Sequence, residues 1–161
     1  MKEAQEPGAG EATGSPERLR VGPSTLHGLG VFARIAIPEG ELLLEYLGEI
    51  TDGEEAEQRQ ADTAGDDYHT FLFAISDTLV IDANVGGNAA RYVNHSCEPN
   101  CETEQVGQRV FIYTLRAVQP GEELLYDYRL VLDEPHTPAR EQQHACRCGT
   151  PACRGTMLGE R

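Results

Sequence analysis

Arg91-Tyr92-Val93-Asn94-His95-Ser96-Cys97-Glu98-Pro99-Asn100-Cys101 crowds Asn, His, Cys and Pro side chains into eleven positions. Neither the 3.6-residue period of an amphipathic helix nor the alternation of a half-buried strand runs through it. It therefore reads as a loop held for its polar groups. Taken singly, Asn94 or His95 is more often a satisfied buried hydrogen-bonder than a ligand contact. Their clustering with cysteines is what points to a functional loop.

Outward from this loop, short apolar runs alternate with Gly and Pro: RLRV, LGVFARIAI, ELLLEYLGEI, TFLFAIS, LVIDA, RVFIYTL and EELLYDY. Runs of this length between turn residues predict short strands, and the fold class is mainly β. Pro38-Glu39-Gly40 and Pro120-Gly121 are turns, Pro fixing φ and Gly permitting positive φ. Thr51 to Ala64 interrupts the rhythm with good helix formers; Thr51 stands three residues before Glu54, the spacing of a capping box, which predicts a short exposed helix. A helical turn over Asn88 to Tyr92 is weakly marked. LVLDEPHTPAREQQH after Tyr128 and Arg129 reads as a connector, and no internal repeat or heptad is visible.

His27-Gly28-Leu29-Gly30 is a glycine turn that lets backbone approach a ligand. It lacks the third glycine of a dinucleotide fingerprint and the Gly-Lys-Ser/Thr of a phosphate loop, so on its own it is a hairpin turn. Near the other end, Cys146-Arg147-Cys148 and, after four residues, Cys153 put three thiols in a segment too small to bury a core. Five cysteines, an odd number, fit a disulfide framework poorly. Zinc suits better, because it takes four N or S ligands in a tetrahedron and three near thiolates leave one place open. Spacing leaves Cys97, Cys101 and His144 as candidates for that place.

The 161 residues (17.6 kDa) support one domain of roughly 140 residues behind a lead, residues 1–16, that holds no bulky apolar residue beyond Met1 and is expected to be disordered. Hydrophobic residues at 39% and charged residues at 25% exclude a collagenous, coiled-coil or wholly disordered chain. The longest apolar run, Phe71 to Ile75, is far short of the roughly 20 residues of a membrane span. The N-terminus carries neither a secretory signal nor a transit peptide, so an intracellular location is expected. Thirteen Lys+Arg against 27 Asp+Glu give a net charge of −14, a field that repels phosphate backbones and draws in basic partners. Direct nucleic-acid binding is not expected.

HGLGVFA, EYLGE, RYVNHSCEPNC, GEELLYDY and CRCGTPACRGTM, in that order, closely resemble the successive motifs of SET-domain protein lysine methyltransferases, the last being similar to their post-SET zinc segment. The resemblance implies a SET domain over 17–130, a connector over 131–143 and a zinc segment over 144–158. It implies short β-sheets, a short helical insert and an NHSC segment threaded beneath a loop as a pseudoknot. S-adenosylmethionine would lie against His27, Gly28, Leu29 and Gly30, with Tyr46, Arg91, Asn94, His95 and Tyr128 completing its pocket and Arg91 buttressing the loop. Tyr46 matches the tyrosine lining the lysine channel, Tyr128 the catalytic tyrosine, and Tyr126 the position where the family varies between Tyr and Phe. That variation suggests mono- and dimethyl products. Cys97 becomes the fourth zinc ligand beside Cys146, Cys148 and Cys153, leaving Cys101 as a small buried hydrophobe.

The implied partner is a lysine-containing basic protein such as a histone tail, met by a monomer in the cytoplasm of a bacterium or on chromatin in a eukaryotic nucleus. The chain departs from the family in carrying Phe71 where most members have Tyr, in its short helical insert and in having no cysteine before Cys97. An inactive SET-like module that only binds lysine-rich tails is the alternative, and retention of Tyr46, Asn94, His95 and Tyr128 weighs against it.

Overall fold

The computed structural model describes residues 17–63, 71–130, 137–146 and 148–159. The expected N-terminal lead, the C-terminal residue of the expected helix and the first part of the connector lie outside them. Strand β1 (Leu19–Pro23) pairs antiparallel with β2 (Leu29–Ala33), Val21 opposite Val31. The turn between them closes through the Ser24 N–H donating to the Gly28 carbonyl at 2.8 Å, with Gly28 at φ 43°. In β2 the alternation of LGVFA buries Val31 and Ala33 and turns Phe32 outward, under the Arg20 guanidinium.

The run ELLLEYLGEI forms two strands rather than one: β3 (Leu42–Glu45) and β4 (Glu49–Asp52) belong to different sheets. Close backbone approach marks the break: a Cβ at Gly48 would stand 2.5 Å from the Asp82 carbonyl oxygen. Only glycine lets the two backbones approach so closely there. Asn88 holds the bend, its Nδ2 donating to the Glu45 carbonyl at 2.9 Å. Glu45, nearly buried, is paired with Arg109 through Nε–Oε1 and Nη2–Oε2 bonds of 2.9 and 3.1 Å.

Helix α1 (Gly53–Thr63) confirms the helical expectation but not its cap. Thr51 lies in β4 and its hydroxyl donates to Glu55, while Asp52 Oδ1 accepts the Glu54 N–H at 2.9 Å. Strand pairing claims Thr51, so the capping oxygen comes from the next residue. Strands β5 (Leu72–Ala74) and β6 (Leu79–Asp82) complete the sheet β4-β6-β5.

After β6 come a 3-10 turn over Ala89–Tyr92, capped by the Asn88 side chain, and the two-residue β7 (Asn94–His95). Strand β8 (Cys101–Val106) follows, paired along its length with β9 (Arg109–Thr114) in the sheet β3-β9-β8. Its sequence CETEQV did not read as a strand. It is an edge strand with Glu102, Glu104 and Gln105 exposed, and the apolar signal sits in its partner β9, where Val110, Phe111 and Ile112 are fully buried. Strand β10 (Leu125–Tyr126) pairs in parallel with β7, and α2 (Pro138–Gln143) falls within the expected connector. The core gathers Val31, Leu43, Leu44, Val93, Cys101, Val110, Ile112, Val118 and Leu124 from the pieces around β9. Cys101 is buried among them, as expected. Among the described residues no helix is long and apolar enough to cross a membrane.

Candidate functional site

The parallel pairing of β7 and β10 sets Asn94 beside Leu125 and His95 beside Tyr126. Hydrogen bonds extend this pairing over both segments. Asn100 donates to the Glu123 carbonyl and accepts the Leu125 N–H, each at 2.8 Å, and the Ser96 N–H donates to the Tyr126 carbonyl. The polar loop is thus clasped against 123–128 by backbone and side-chain hydrogen bonds. On its other side the Asn94 amide donates to the carbonyls of His27 (3.2 Å) and Leu29 (3.0 Å) and approaches Glu123 Oε2. One buried amide therefore fixes the glycine turn relative to β10. Ser24 strengthens the link by donating its hydroxyl to Glu123 Oε1 at 2.7 Å.

The turn fits the open cradle expected of it. A Cβ at Gly28 would meet nothing within 4 Å, while one at Gly30 would press on the Glu123 carboxylate at 2.9 Å. Gly28 leaves room above the turn and Gly30 lets it sit down on Glu123. Arg91 lies on the opposite flank: its guanidinium donates to Tyr92 Oη and the Ala83 carbonyl and stands over the Tyr92 and Phe71 rings. Its bonds run to its neighbour Tyr92 and to Ala83, just beyond β6. Its Nε is buried without a hydrogen-bond partner among the described residues.

Four aromatic rings meet beside this clasp. Tyr126 lies 4.9 Å from Tyr128 and 6.4 Å from Phe73, Phe73 lies 5.3 Å from Tyr46, and Tyr128 packs edge-on to His95 at 5.3 Å. Burial pushes all three phenols well above the ordinary tyrosine pKa; the Asp82 charge adds to this at Tyr46, and Tyr46 and Glu123 add to it at Tyr128. They remain protonated near neutrality. The Tyr128 hydroxyl donates to the Val93 carbonyl, so its proton is committed and its lone pairs are free to accept. The Tyr128 backbone N–H donates to His95 Nδ1 at 3.0 Å. That bond requires an unprotonated Nδ1, and burial pulls the imidazole pKa down to about 4, so His95 is neutral.

The sulfurs of Cys97, Cys146, Cys148 and Cys153 converge, all within 4.8 Å of one another, with Cys97 Sγ and Cys146 Sγ 3.7 Å apart. Zn–S bonds of about 2.3 Å in a tetrahedron put sulfurs about 3.8 Å apart. Backbone N–H groups of Cys148, Arg154 and Gly155 donate to Cys146, Cys97 and Cys153, a donor shell suited to thiolates. The residues present therefore fit a structural zinc ion, and neither Cys101 nor His144 is in the group.

Sequence reasoning passed over Phe73, Asn88, Asn100, Glu123, Asp127 and Arg154. Phe71 and Phe73 carried a signal, since residues two apart in a strand share a face. The other five act through contacts 23 to 99 residues away in sequence, as with Asn100 to Glu123 and Glu123 to Ser24, and no local pattern reports them.

The family model for the SET domain matches residues 28–129. The chain is 36% identical over 146 residues to histone-lysine N-methyltransferase TRX1 of Oryza sativa subsp. japonica, covering 87% of this chain and 14% of that protein. It is 39% identical over 137 residues to histone-lysine N-methyltransferase ash1 of Drosophila melanogaster, covering 83% of this chain and 6% of that one. It is 38% identical over 149 residues to the H3 lysine-4 specific histone-lysine N-methyltransferase of Schizosaccharomyces pombe, covering 88% and 15%. The chain spans less than a sixth of the length of these relatives. With the clasped Asn94-His95 segment, the tyrosine cage and Gly28 to Gly30 of the glycine turn all inside the matched span, the chain belongs to the SET-domain family.

Proposed function

We propose that this chain is a protein-lysine N-methyltransferase that methylates the side-chain amine of lysine in a basic protein such as a histone tail, with mono- and dimethyl-lysine as its main products. The observation that carries this reading is the cage of Tyr46, Phe73, Tyr126 and Tyr128 set directly beside the Asn94-His95 clasp. The names of the relatives, all histone-lysine N-methyltransferases, support the substrate class. They also favour chromatin as the working location. The net charge of −14 suits a Lys/Arg-rich partner.

S-adenosylmethionine, when bound, supplies an electrophilic methyl group on a sulfonium. His27, Gly28, Leu29 and Gly30 would hold it from the open side of the turn, with Asn94 keeping that turn in place and His95, Arg91 and Tyr46 bordering the pocket. The substrate amine must arrive neutral, and at pH 7 a lysine of pKa 10.4 carries a deficit of about 4.6 kcal/mol. A channel walled by buried aromatic rings disfavours ammonium by desolvation, so the proton leaves to solvent before the amine enters. Tyr128 oxygen, its own proton given to Val93, accepts an N–H of the amine and so aims the nitrogen lone pair. A phenol held protonated is a poor base, so positioning is the work assigned to Tyr128. The four cysteines would hold zinc closed to substrate, as a staple for 144–158.

Incubating zinc-loaded protein with methyl-labelled S-adenosylmethionine and a panel of basic peptides, followed by mass spectrometry, should show mass gains at lysine. Donor binding without any transfer across the panel would favour the inactive binding module. Tyr126 sets the expected product range. Its buried hydroxyl occupies volume that a growing methylammonium needs, and it can hold the amine back from rotating for another transfer. About 1.4 kcal/mol against each later round gives a tenfold bias. Tyr126→Phe is expected to raise the share of trimethyl-lysine at least severalfold on the same peptide. An unchanged distribution would show that Tyr126 does not set the limit.

A further inference from the structure

Asp127 stands between the two cage tyrosines, Tyr126 and Tyr128, yet its strongest partner lies in the cysteine segment. Arg154 grips its carboxylate in a bidentate pair, Nη1 to Oδ2 at 2.7 Å and Nη2 to Oδ1 at 3.0 Å. Arg154 directly follows Cys153, and its backbone N–H donates to Cys97 Sγ at 3.3 Å. One residue thus touches the sulfur cluster with its backbone and the Tyr126-Tyr128 segment with its side chain. Burial acts to push the Asp127 carboxyl up, but the Arg154 bonds and charge hold it below the usual aspartate range. The pair is therefore ionised and geometrically fixed.

The same carboxylate shapes the chain just after Tyr128. Asp127 Oδ1 accepts the Arg129 N–H at 3.1 Å, and Arg129 has φ 44°, the one left-handed non-glycine among the described residues. Such a conformation persists only where surrounding contacts impose it. The cysteine segment supplies more of them: the Leu130 N–H donates to the Met157 carbonyl, the Gly159 N–H to the Leu130 carbonyl, and a Cβ at Gly159 would press on Arg129 at 3.0 Å. Tyr128 itself is held by His95 at its backbone and Val93 at its hydroxyl. Those two contacts come from the β7 region. The contacts that fix the turn's far side come from 154–159.

We infer that Asp127 and Arg154 are a positioning pair that registers the cysteine segment against Tyr128, so that the aim of the Tyr128 oxygen depends on the assembled cluster. The inference rests on the methyltransferase reading for its effect on turnover, but not for its effect on Tyr128. A pair that only added stability would leave the tyrosine environment unchanged in any variant that stays folded. A positioning pair would not.

The test uses the full zinc-loaded chain and the variants Arg154→Ala, Arg154→Lys and Asp127→Asn. Arg154→Ala keeps its backbone N–H, so zinc content is expected to stay at one per chain, with donor affinity within about twofold. Its kcat on a basic peptide should fall at least about tenfold with KM changed less than about threefold, and Arg154→Lys should recover part of the loss. Asp127→Asn combined with Arg154→Ala should cost little more than either alone, because both remove one device. In parallel, fluorotyrosine labelling followed by fluorine NMR, with the Tyr128 signal assigned through Tyr128→Phe, should show that signal displaced in Arg154→Ala. Unchanged kcat, or loss of kcat only in step with loss of zinc, would overturn the inference. If the wild type transfers no methyl to any peptide, the methyltransferase reading fails, and an unmoved Tyr128 signal in zinc-loaded Arg154→Ala would then overturn the positioning role as well.

Discussion

Tyr128→Phe is expected to lower kcat on a lysine peptide at least about 100-fold while leaving S-adenosylmethionine affinity within about threefold, an effect of the size seen when one well-aimed hydrogen-bonding group is removed from a reaction centre. The substitution deletes a single oxygen. The ring keeps its packing against His95 and Tyr126, and the backbone N–H keeps its bond to His95 Nδ1. The glycine turn and Asn94 are untouched, which is why donor binding should survive. The Val93 carbonyl does lose its donor. A buried acceptor left unpaired costs about 1–3 kcal/mol, so the variant should also melt earlier, and turnover must be compared where both proteins are folded. Calorimetry with the donor and single-turnover kinetics on the peptide separate binding from chemistry. Wild-type-like turnover would remove Tyr128 from the reaction centre and revive the binding-module reading.

The residues proposed for the chemistry were legible because they sit in short ordered motifs, whereas the residues that hold them were not. Asn94, His95, Tyr126 and Tyr128 stand out as polar or aromatic groups in loops and short strands, and the structure brings them together through the parallel pairing of β7 and β10. Nothing local in the sequence announces that pairing, since two residues per strand carry no period. The same holds for Gly48, which meets Asp82 where one apolar run divides between two sheets. Strand β8 was missed for a different reason: an edge strand that is mostly exposed beyond Cys101 needs few apolar residues of its own once β9 supplies the core. The cluster of four sulfurs shows the limit most clearly. Three cysteines lie within eight residues of one another, but spacing alone could not choose among Cys97, Cys101 and His144, because that choice is made by the fold between them. Cys101 begins β8 with its side chain in the core, and this alternation carries it away from the cluster that Cys97 joins.

Removing the metal should have the second large effect, and it should be confined to one end of the chain. Among the described residues of 144–159 only Leu158 is fully inside the core, and beyond the cysteines the segment is tied to the body mainly by the backbone bonds around Leu130 and the Asp127–Arg154 pair. One buried Leu contributes about 1.5–3 kcal/mol, which does not offset the ordering of so many residues. Zinc bound by four cysteines can contribute about 10–16 kcal/mol in small metal-stapled folds, so on this reading the metal decides whether the segment is ordered. Cys97→Ala should therefore lose most of its zinc, lose hydrogen-exchange protection over 144–159, and transfer methyl at least about 100-fold more slowly, an effect as large as removal of a group that acts on the reacting atoms. The core around β9 should keep its protection, because Val110, Phe111 and Ile112 have no part in the cluster. Cys101→Ala and His144→Ala are the controls: both should retain one zinc per chain, the first with a modest loss of stability from its buried site. Elemental analysis of the three variants decides the ligand set, and a Cys97→Ala protein that keeps its zinc, or a metal-free wild type that remains fully active, would show that the converging sulfurs are not what holds this segment to Tyr128.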